Sequence, residues 1–491
     1  MSLSILSESE VMIPTVVLVL PNIGWSGDGR SVNWTIWPIS LCTIAAVLEP
    51  KYNVKVIDAN VDNMSISDVM SFIKNLKPFA IGISVFCDDF AAGGHAIAAS
   101  IKAFDNLVSV VMGGSYVTLN SDIAIKDGNV DYLVVGEGEL IFKEILDFLS
   151  GHAESLPDCG IVYRTKDKKI IDTGRAPAIS NLDQLPFPDY SKIDFTKYSE
   201  KEERNSAYMP PVFPYGRITT SRGCPHQCCF CQVAAINGAG IRYRSVSNVL
   251  EEVAMLLRDY NIKSLLIDDA NFTVDRRRAK DIIRGFIERK FSLKWRIMNL
   301  AAYTLDDELL ELMIESGCNH IDLAIESGSK RVLKEIIHKP LHLDKVKAVI
   351  DKAKALGFMI SANFIIGFPG ETWSEIRETV SFAEVIDVDY VKIMAAMPLR
   401  HTDLFETAKN KGYLKNDFDF MNMRWGLGEI STEEFSSFDI TILRAYEWDR
   451  INFSSAKKIN RVARLMSIDE EKIGNMRIDT RRAIKNLFAP E

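Results

Sequence analysis

The sequence predicts an α/β protein with two parallel-strand units in series: an N-terminal doubly wound sheet, then a partial (β/α)6 barrel, followed by a mostly helical tail. Three observations predict it. From residue 1 to about 150, short β-branched and aliphatic runs alternate with stretches of helical period. The same alternation resumes near 215 and continues to about 404. Between them, residues 151–214 carry clustered charge and many prolines, a composition that separates folded units.

In residues 1–150 the strand runs lie at 15–20, 54–58, 80–85, 109–112 and 132–135, with helical stretches at 41–48, 67–76 and 91–104 among them. Short continuous apolar runs separated by helices imply a parallel sheet covered on both faces. Ligands bind such sheets beyond the carboxyl ends of the strands. The loops there are Pro21-Asn22-Ile23-Gly24, Asp58-Ala59-Asn60, Gly113-Gly114-Ser115-Tyr116 and Gly136-Glu137-Gly138-Glu139. Glycine lets a backbone come close to a ligand. One such loop is ordinary strand-ending chemistry; several on one edge predict a ligand. No G-x-G-x-x-G follows the first strand, which argues against a dinucleotide.

Residues 151–214 hold Lys166, Asp167, Lys168 and Lys169, then Pro177, Pro186, Pro188, Pro210, Pro211 and Pro214, and are expected to form a linker or extended strap. In residues 215–404, strands are expected at 217–221, 264–268, 294–298, 321–325, 360–366 and 391–395, with helical patterns such as 246–260, 306–316 and 343–356 between them. Six strand–helix units imply a parallel barrel whose site lies at the carboxyl ends of the strands. Those ends read Asp268-Asp269-Ala270-Asn271, Glu326-Ser327-Gly328-Ser329 and Gly367-Phe368-Pro369-Gly370-Glu371. Ser327 and Ser329 are plausible helix N-caps, so any one loop has a bland explanation. Residues 405–491 read as helical. Their basic stretch (Lys457, Lys458, Arg461, Arg464) is expected to be a solvated face. Trp425, Tyr446 and Trp448 either cover the barrel mouth or pack a core.

The chain has 491 residues, 47% hydrophobic and 25% charged, with a formal charge of −8, which is the balance of an ordinary globular protein and argues against a general nucleic-acid binder. Glu8 and Glu10 near the N-terminus and apolar runs of strand length only predict neither a signal peptide nor a membrane span, and hence a cytoplasmic location. Eight unevenly spaced cysteines then read as reduced thiols or metal ligands.

Three of them carry the chemistry. Arg222-Gly223-Cys224-Pro225-His226-Gln227-Cys228-Cys229-Phe230-Cys231 contains C-x₃-C-x₂-C directly after the first barrel strand. Three thiolates in one loop suit an iron–sulfur cluster that keeps one iron open to a ligand, since a [4Fe–4S] cluster normally takes four. Cys228 and Cys231 alone are also a C-x-x-C, as in a redox dithiol or half of a zinc site. No thioredoxin-like unit surrounds them and no fourth zinc ligand follows; His226 is too close within the loop. Cys229 lies off the spacing and reads as packing.

The triplet, with Phe230 just before its last cysteine, resembles the signature of the radical S-adenosylmethionine (SAM) superfamily. The N-terminal pattern resembles the Rossmann-like cobalamin-binding domain that precedes many radical SAM barrels. It matches in Val56-Ile57-Asp58, in Gly113-Gly114, and in the run from Asp131 through Gly136, Glu137, Gly138 and Glu139. The D-x-H-x-x-G motif that brings a histidine to cobalt is absent, and His95 reads as a surface or capping residue. Leu185-Pro186-Phe187-Pro188-Asp189-Tyr190 resembles the family's interdomain segment.

The resemblance implies a [4Fe–4S] cluster on Cys224, Cys228 and Cys231, with S-adenosylmethionine on its open iron. It places Phe230 and the segment around Gly367 by the adenine, Asp268 and Asp269 by the amino group, and Glu326 and Ser327 in the ribose and carboxylate region. Pro398 and Thr402 match a later P-x-x-G-T element in which His401 replaces the glycine.

The implied function is cobalamin-dependent methyl transfer to an unactivated carbon of a small-molecule substrate, through a 5′-deoxyadenosyl radical and methylcobalamin. Ferredoxin or flavodoxin would supply the electron. Alternatives are a radical cyclase or rearrangement enzyme using the same cofactors, and a cofactor-binding redox sensor. A methylthiotransferase should carry a second cysteine cluster, and Cys42, Cys87 and Cys159 form no compact motif.

Overall fold

The structure, a computed structural model, describes residues 13–26, 36–200, 212–423 and 426–486. The expected Pro210, Pro211 and Trp425 lie outside them. The chain divides into two compact units.

The first unit is built on seven strands: β1 (Thr15–Leu20), β2 (Asn53–Asp58), β3 (Ala80–Ser84), β4 (Ser109–Gly113), β5 (Tyr132–Val134), β6 (Ile161–Arg164) and β7 (Ile170–Asp172), in the order β2-β1-β3-β4-β5-β6-β7. The first five are parallel. Helices such as Ile39–Leu48, Ala91–Phe104 and Gly138–Leu149 intervene, so β1 and β3 are almost wholly buried, as their unbroken aliphatic runs require. The order 2-1-3-4-5 reverses direction between β1 and β3, and that switch point is where a doubly wound sheet opens a crevice beyond its strand ends.

The expected strap is corrected in its first half. β6 and β7 are an antiparallel hairpin that extends the sheet from β5, with Leu133 opposite Val162 and Tyr163 opposite Ile171. The charges at 166–169 form its turn, with Lys168 in the left-handed region at φ 62°. Charges at a short sheet edge discourage pairing with other chains. Residues 185–194 also belong to the first unit, where Asp189 N–H donates to the Cys42 carbonyl (3.0 Å) and Lys192 pairs with Glu49 (2.5 Å).

The second unit contains six parallel strands: β8 (Tyr215–Ile218), β11 (Ser264–Ile267), β12 (Lys294–Ile297), β13 (His320–Glu326), β14 (Met359–Ile366) and β15 (Tyr390–Ala395). They form two three-stranded sheets, β12-β11-β8 and β13-β14-β15, bridged in parallel at Leu300 and Leu323. The expected first strand, 217–221, is two elements: β8 ends at Ile218, and β9 (Ser221–Cys224) turns away to pair antiparallel with β10 (Gly240–Tyr243).

The helix Ser437–Phe453 covers the β15 edge. Asn452 receives the Val391 N–H on Oδ1 and donates Nδ2 to the Val391 carbonyl, both at 2.8 Å, taking the place of a further strand. Trp448 donates Nε1 to the Tyr390 hydroxyl (3.0 Å). Tyr390, Trp448, Phe453, Val462 and Leu465 form one buried cluster with Met359 against it. Tyr390 and Met359 begin their strands, so this tail plugs the amino end of the barrel. Of the two readings given to the aromatics, packing holds for Trp448, while Tyr446 is exposed. The basic stretch is a solvated face that pairs Arg461 with Asp387 and Arg464 with Asp389. Among the described residues no helix is long and apolar enough to cross a membrane.

Candidate active site

The cysteine loop springs from the β9–β10 hairpin, where Cys224 faces Gly240. Gly223 sits at φ 89°, and a Cβ there would lie 2.4 Å from the Gly240 carbonyl oxygen, so only glycine lets the two strands close. The buried Asp269 carboxylate holds the root of the hairpin. It accepts the Thr220 N–H (2.6 Å) and hydroxyl (2.5 Å) and the Ser221 N–H (3.2 Å) and hydroxyl (2.7 Å). Arg278 ties in from the other side, donating to the carbonyls of Thr220 (2.8 Å) and Arg244 (2.9 Å).

A carboxylate offers about four lone-pair sites, and Asp269 uses them on the root of the hairpin, so this residue braces the loop that carries the cysteines. Asp268 is held by Arg217 through Nε (2.9 Å) and Nη2 (2.5 Å), with about a third of its side chain exposed at the barrel mouth.

Cys224, Cys228 and Cys231 are half-buried free thiols. Burial, with Cys231 and Cys224 adding, pushes Cys228 up to about 11; burial and then Cys224 push Cys231 up. The three sulfurs therefore lie within electrostatic reach of one another. Among the described residues no three His, Cys, Asp or Glu side chains converge on a single ion. Three thiols in one loop, each able to take its own iron, are the donor set of a cluster with one iron left open. Thiols with raised pKa stay protonated until metal displaces the proton. The donor set thus fits a [4Fe–4S] cluster.

Cys229 is set apart from these three. It is buried, its N–H donates to the Ile337 carbonyl (3.1 Å), and its carbonyl accepts the Leu404 N–H (2.9 Å). It fastens the loop to two later segments, as packing rather than ligation requires. His226 is held through Nε2 by the Tyr303 hydroxyl at 2.8 Å.

Phe230 lies 6.1 Å, ring to ring, from buried Phe368 in the loop after β14. The expected adenine residues thus meet, although 138 positions (368 − 230) separate them. Gly367 takes φ 91°. The Glu371 Oε2 accepts the Gly367 N–H (2.7 Å) and the Phe368 N–H (3.0 Å), and burial pushes this acid up to about 7.

Glu326 ends β13 at φ 70° and is paired with Lys339 (2.7 Å). Ser327 is buried, with Oγ 3.0 Å from the Thr379 hydroxyl and accepting the Ser329 N–H (3.1 Å). His401 adopts φ 62°, so the turn that glycine makes in the resembled element survives, and Thr402 caps the helix Asp403–Asn410.

The barrel lumen below this mouth is polar. Asp322 accepts from Ser361, from Asn363 (2.8 Å) and from the Asn299 N–H (3.2 Å). Lys392, opposite Asn363 in the register, is lowered to about 8 by burial, with Asp322 opposing. Lys392 and Met394 retain accessible surface although both face inward with Tyr390.

In the first unit, Gly113 and Gly114 follow β4. Gly114 has φ 104°, and a Cβ there would meet the Val85 carbonyl at 2.4 Å; Gly113 has room. The pair lets two loops of the sheet edge close together. Gly136, Glu137, Gly138 and Glu139 follow β5, but Gly136 lies against Arg175 and Ala176, so the chain itself covers part of this loop. The loops at the switch point are joined: Asn22 Nδ2 donates to Asn63 (3.0 Å) and Met64 (3.2 Å), and Trp25 Nε1 to Met64 (2.8 Å). His95 is no cap. It lies within its helix, with Nδ1 2.7 Å from Asp127 and Nε2 3.2 Å from the Tyr116 hydroxyl. Sequence reasoning missed Tyr303 and Lys339. Tyr303 follows a barrel strand, a positional signal; Lys339 had none.

Two family models match the chain: the radical SAM superfamily over residues 218–383 and the B12 binding domain over residues 28–146. An uncharacterized methyltransferase of Pyrococcus horikoshii is 32% identical over 394 residues, covering 80% of this chain and 83% of the relative. The cytidylyl-2-hydroxyethylphosphonate methyltransferase of Streptomyces wedmorensis is 29% identical over 440 residues, covering 80% and 82%. The anaerobic magnesium-protoporphyrin IX monomethyl ester cyclase of Rubrivivax gelatinosus is 25% identical over 403 residues, covering 81% and 70%. Among solved structures, the cobalamin-dependent S-adenosylmethionine radical enzyme OxsB, with aqua-cobalamin and S-adenosylmethionine bound, superposes with a TM-score of 0.74 at 18% identity, covering 97% of this chain and 72% of that one. This last likeness concerns the fold.

Proposed function

We infer that this chain, which belongs to the cobalamin-binding radical SAM superfamily, transfers a methyl group to an unactivated carbon of a small molecule. The observation that carries the inference is the union of a three-cysteine loop at a barrel mouth with a B12-binding domain, in a chain most of whose length matches proteins named as methyltransferases.

Cys224, Cys228 and Cys231 would hold the cluster; Phe230, Gly367 and Phe368 would line the adenine, with Glu326 and Ser327 nearby; the loops at the first sheet's carboxyl edge, Gly113-Gly114 and 136–139 among them, would take the corrin. When bound, these groups supply a carbon-centred radical and a transferable methyl group. The rest falls to the protein. The lumen around Arg217, Asp322 and Lys392 offers charge and hydrogen bonds to orient a polar substrate, and the Tyr390–Trp448 plug closes its far end to water. A one-electron donor of the ferredoxin or flavodoxin kind would reduce the cluster.

A cyclase is the second reading, favoured by the Rubrivivax gelatinosus relative. The two separate on the fate of the methyl group. Protein reconstituted without air with iron, sulfide and cobalamin is reduced and given methyl-deuterated S-adenosylmethionine, with candidate substrates suggested by neighbouring genes. A product that carries the label supports methyl transfer. Substrate consumed with 5′-deoxyadenosine formed, but no label in the product, supports the cyclase instead.

A further inference from the structure

We propose that Arg444 is a specificity-determining residue that holds an oxyanion of the substrate, a carboxylate or a phosphoryl group, in the barrel lumen. The inference deepens the reading of this chain as an enzyme acting on a small molecule in that lumen, and rests on it. The helix Ser437–Phe453 presents one residue per turn to the barrel along β15. Ile440 reaches the mouth, where a Cβ on Gly367 would lie 3.1 Å from it. Trp448 bonds the Tyr390 hydroxyl and Asn452 the Val391 backbone, at the amino end of the strand. Arg444 falls between them at the same four-residue spacing, about 6 Å along the helix from Ile440. Its Nη1 donates to the Ile393 carbonyl (3.3 Å). Ile393 stands between Lys392 and Met394, which both face inward, and Met394 is 36% exposed, so the lumen is open at this depth.

A guanidinium carries five N–H donors in a planar fork. Arg444 spends one of them, on that long bond to a backbone carbonyl, and its buried Nε has no partner. Among the described residues it makes no ion pair. Burial lowers its pKa, with only the Tyr390 hydroxyl opposing. Buried charges are normally paired, because an unpaired one is costly to desolvate. The acids of the lumen are engaged elsewhere. Asp268 is held by Arg217, and Asp322 by Ser361, Asn363 and the Asn299 N–H. Arg217, Lys392 and Arg444 set against Asp268 and Asp322 leave the lumen with a surplus of positive charge. An oxyanion brought in by the substrate satisfies the fork, whose geometry matches two oxygens of a carboxylate or phosphoryl group.

The test is thermal unfolding of the reconstituted full chain in rising inorganic phosphate and, separately, acetate, against sodium chloride of equal ionic strength. One or both anions are expected to raise the unfolding temperature saturably. A response to phosphate alone assigns a phosphoryl group, and a response to acetate assigns a carboxylate. Arg444→Met is expected to bind the anion roughly tenfold more weakly or worse, the worth of a hydrogen bond to a charged group. Arg444→Lys keeps the charge without the fork and should retain part of the response. Without anion, Arg444→Met should melt no lower than the parent, because it removes an unpaired charge. No saturable response to either anion overturns the proposal. So does an unchanged response in Arg444→Met, above all if that variant melts far lower, which would make Arg444 a brace of β15. The same samples, reduced and given S-adenosylmethionine, are assayed for 5′-deoxyadenosine. Its formation without an anion response overturns the proposal alone; an anion response without it overturns the enzyme reading beneath.

Discussion

Replacing Cys224, Cys228 or Cys231 with alanine is expected to abolish cleavage of S-adenosylmethionine, while Cys229→Ala keeps it. Each of the first three sits half-buried in the loop, within electrostatic reach of its fellows. A cluster that already lacks a fourth protein thiolate does not tolerate the loss of a third. Cys229 contributes through its backbone, whose N–H and carbonyl bond Ile337 and Leu404; alanine preserves both bonds and removes only a buried sulfur. The check is iron content and 5′-deoxyadenosine formation for all four variants. Loss of iron in Cys229→Ala, with retention in any of the other three, would mean that the ligand set is wrong.

Asp269→Ala is expected to be the most damaging single change outside the ligands. The carboxylate satisfies two backbone N–H groups and two hydroxyls where β8 gives way to the cysteine hairpin, in a site from which water is excluded. Its removal orphans those donors and takes from the Arg278 guanidinium the strongest of its nearby opposing charges, leaving Asp275. Breaking a buried charge network of this kind costs about 3–5 kcal/mol. For a domain of this size that is roughly a 10 °C fall in the unfolding midpoint. Iron loading should fall with it, because the hairpin carries Cys224. Asp269→Asn keeps an acceptor and should do less harm. A melting profile and iron content unchanged in Asp269→Ala would show that the brace is unnecessary.

The parallel strands were legible in the sequence because each is a short apolar run that must be buried on both faces. The run at 15–20 became a strand with those same ends, and the helix at 91–104 did likewise. The β6–β7 hairpin was not legible. Its strands are short, β7 is exposed throughout, and its turn is a cluster of charges that composition alone assigns to a linker. The break between β8 and β9 was hidden for another reason. Thr220 and Ser221 suit a strand by propensity, and only their bonds to Asp269, 49 and 48 positions away, turn the chain there.

The site divides in the same way. Cys224, Cys228 and Cys231 are read from spacing, which local chemistry dictates. Phe230 and Gly367 could be named only as separate motifs until β14 brought Phe368 to Phe230. Lys339 is one lysine among many in the sequence; it gains meaning only from burial against Glu326. Asp269 shows the converse, a carboxylate at a strand end whose bracing of Thr220 and Ser221 no sequence pattern reveals.

The central claim is that one chain joins radical cleavage of S-adenosylmethionine to bound cobalamin. It is tested most directly by reconstituting the full chain without air with iron, sulfide and cobalamin, passing it through gel filtration, then reducing it and adding S-adenosylmethionine. The account predicts cobalamin that elutes with the protein and 5′-deoxyadenosine that depends on the reductant. Reductant-dependent 5′-deoxyadenosine from protein that has lost all its cobalamin would contradict the methyl-transfer account, and no 5′-deoxyadenosine from iron-loaded, reduced protein would contradict the radical chemistry.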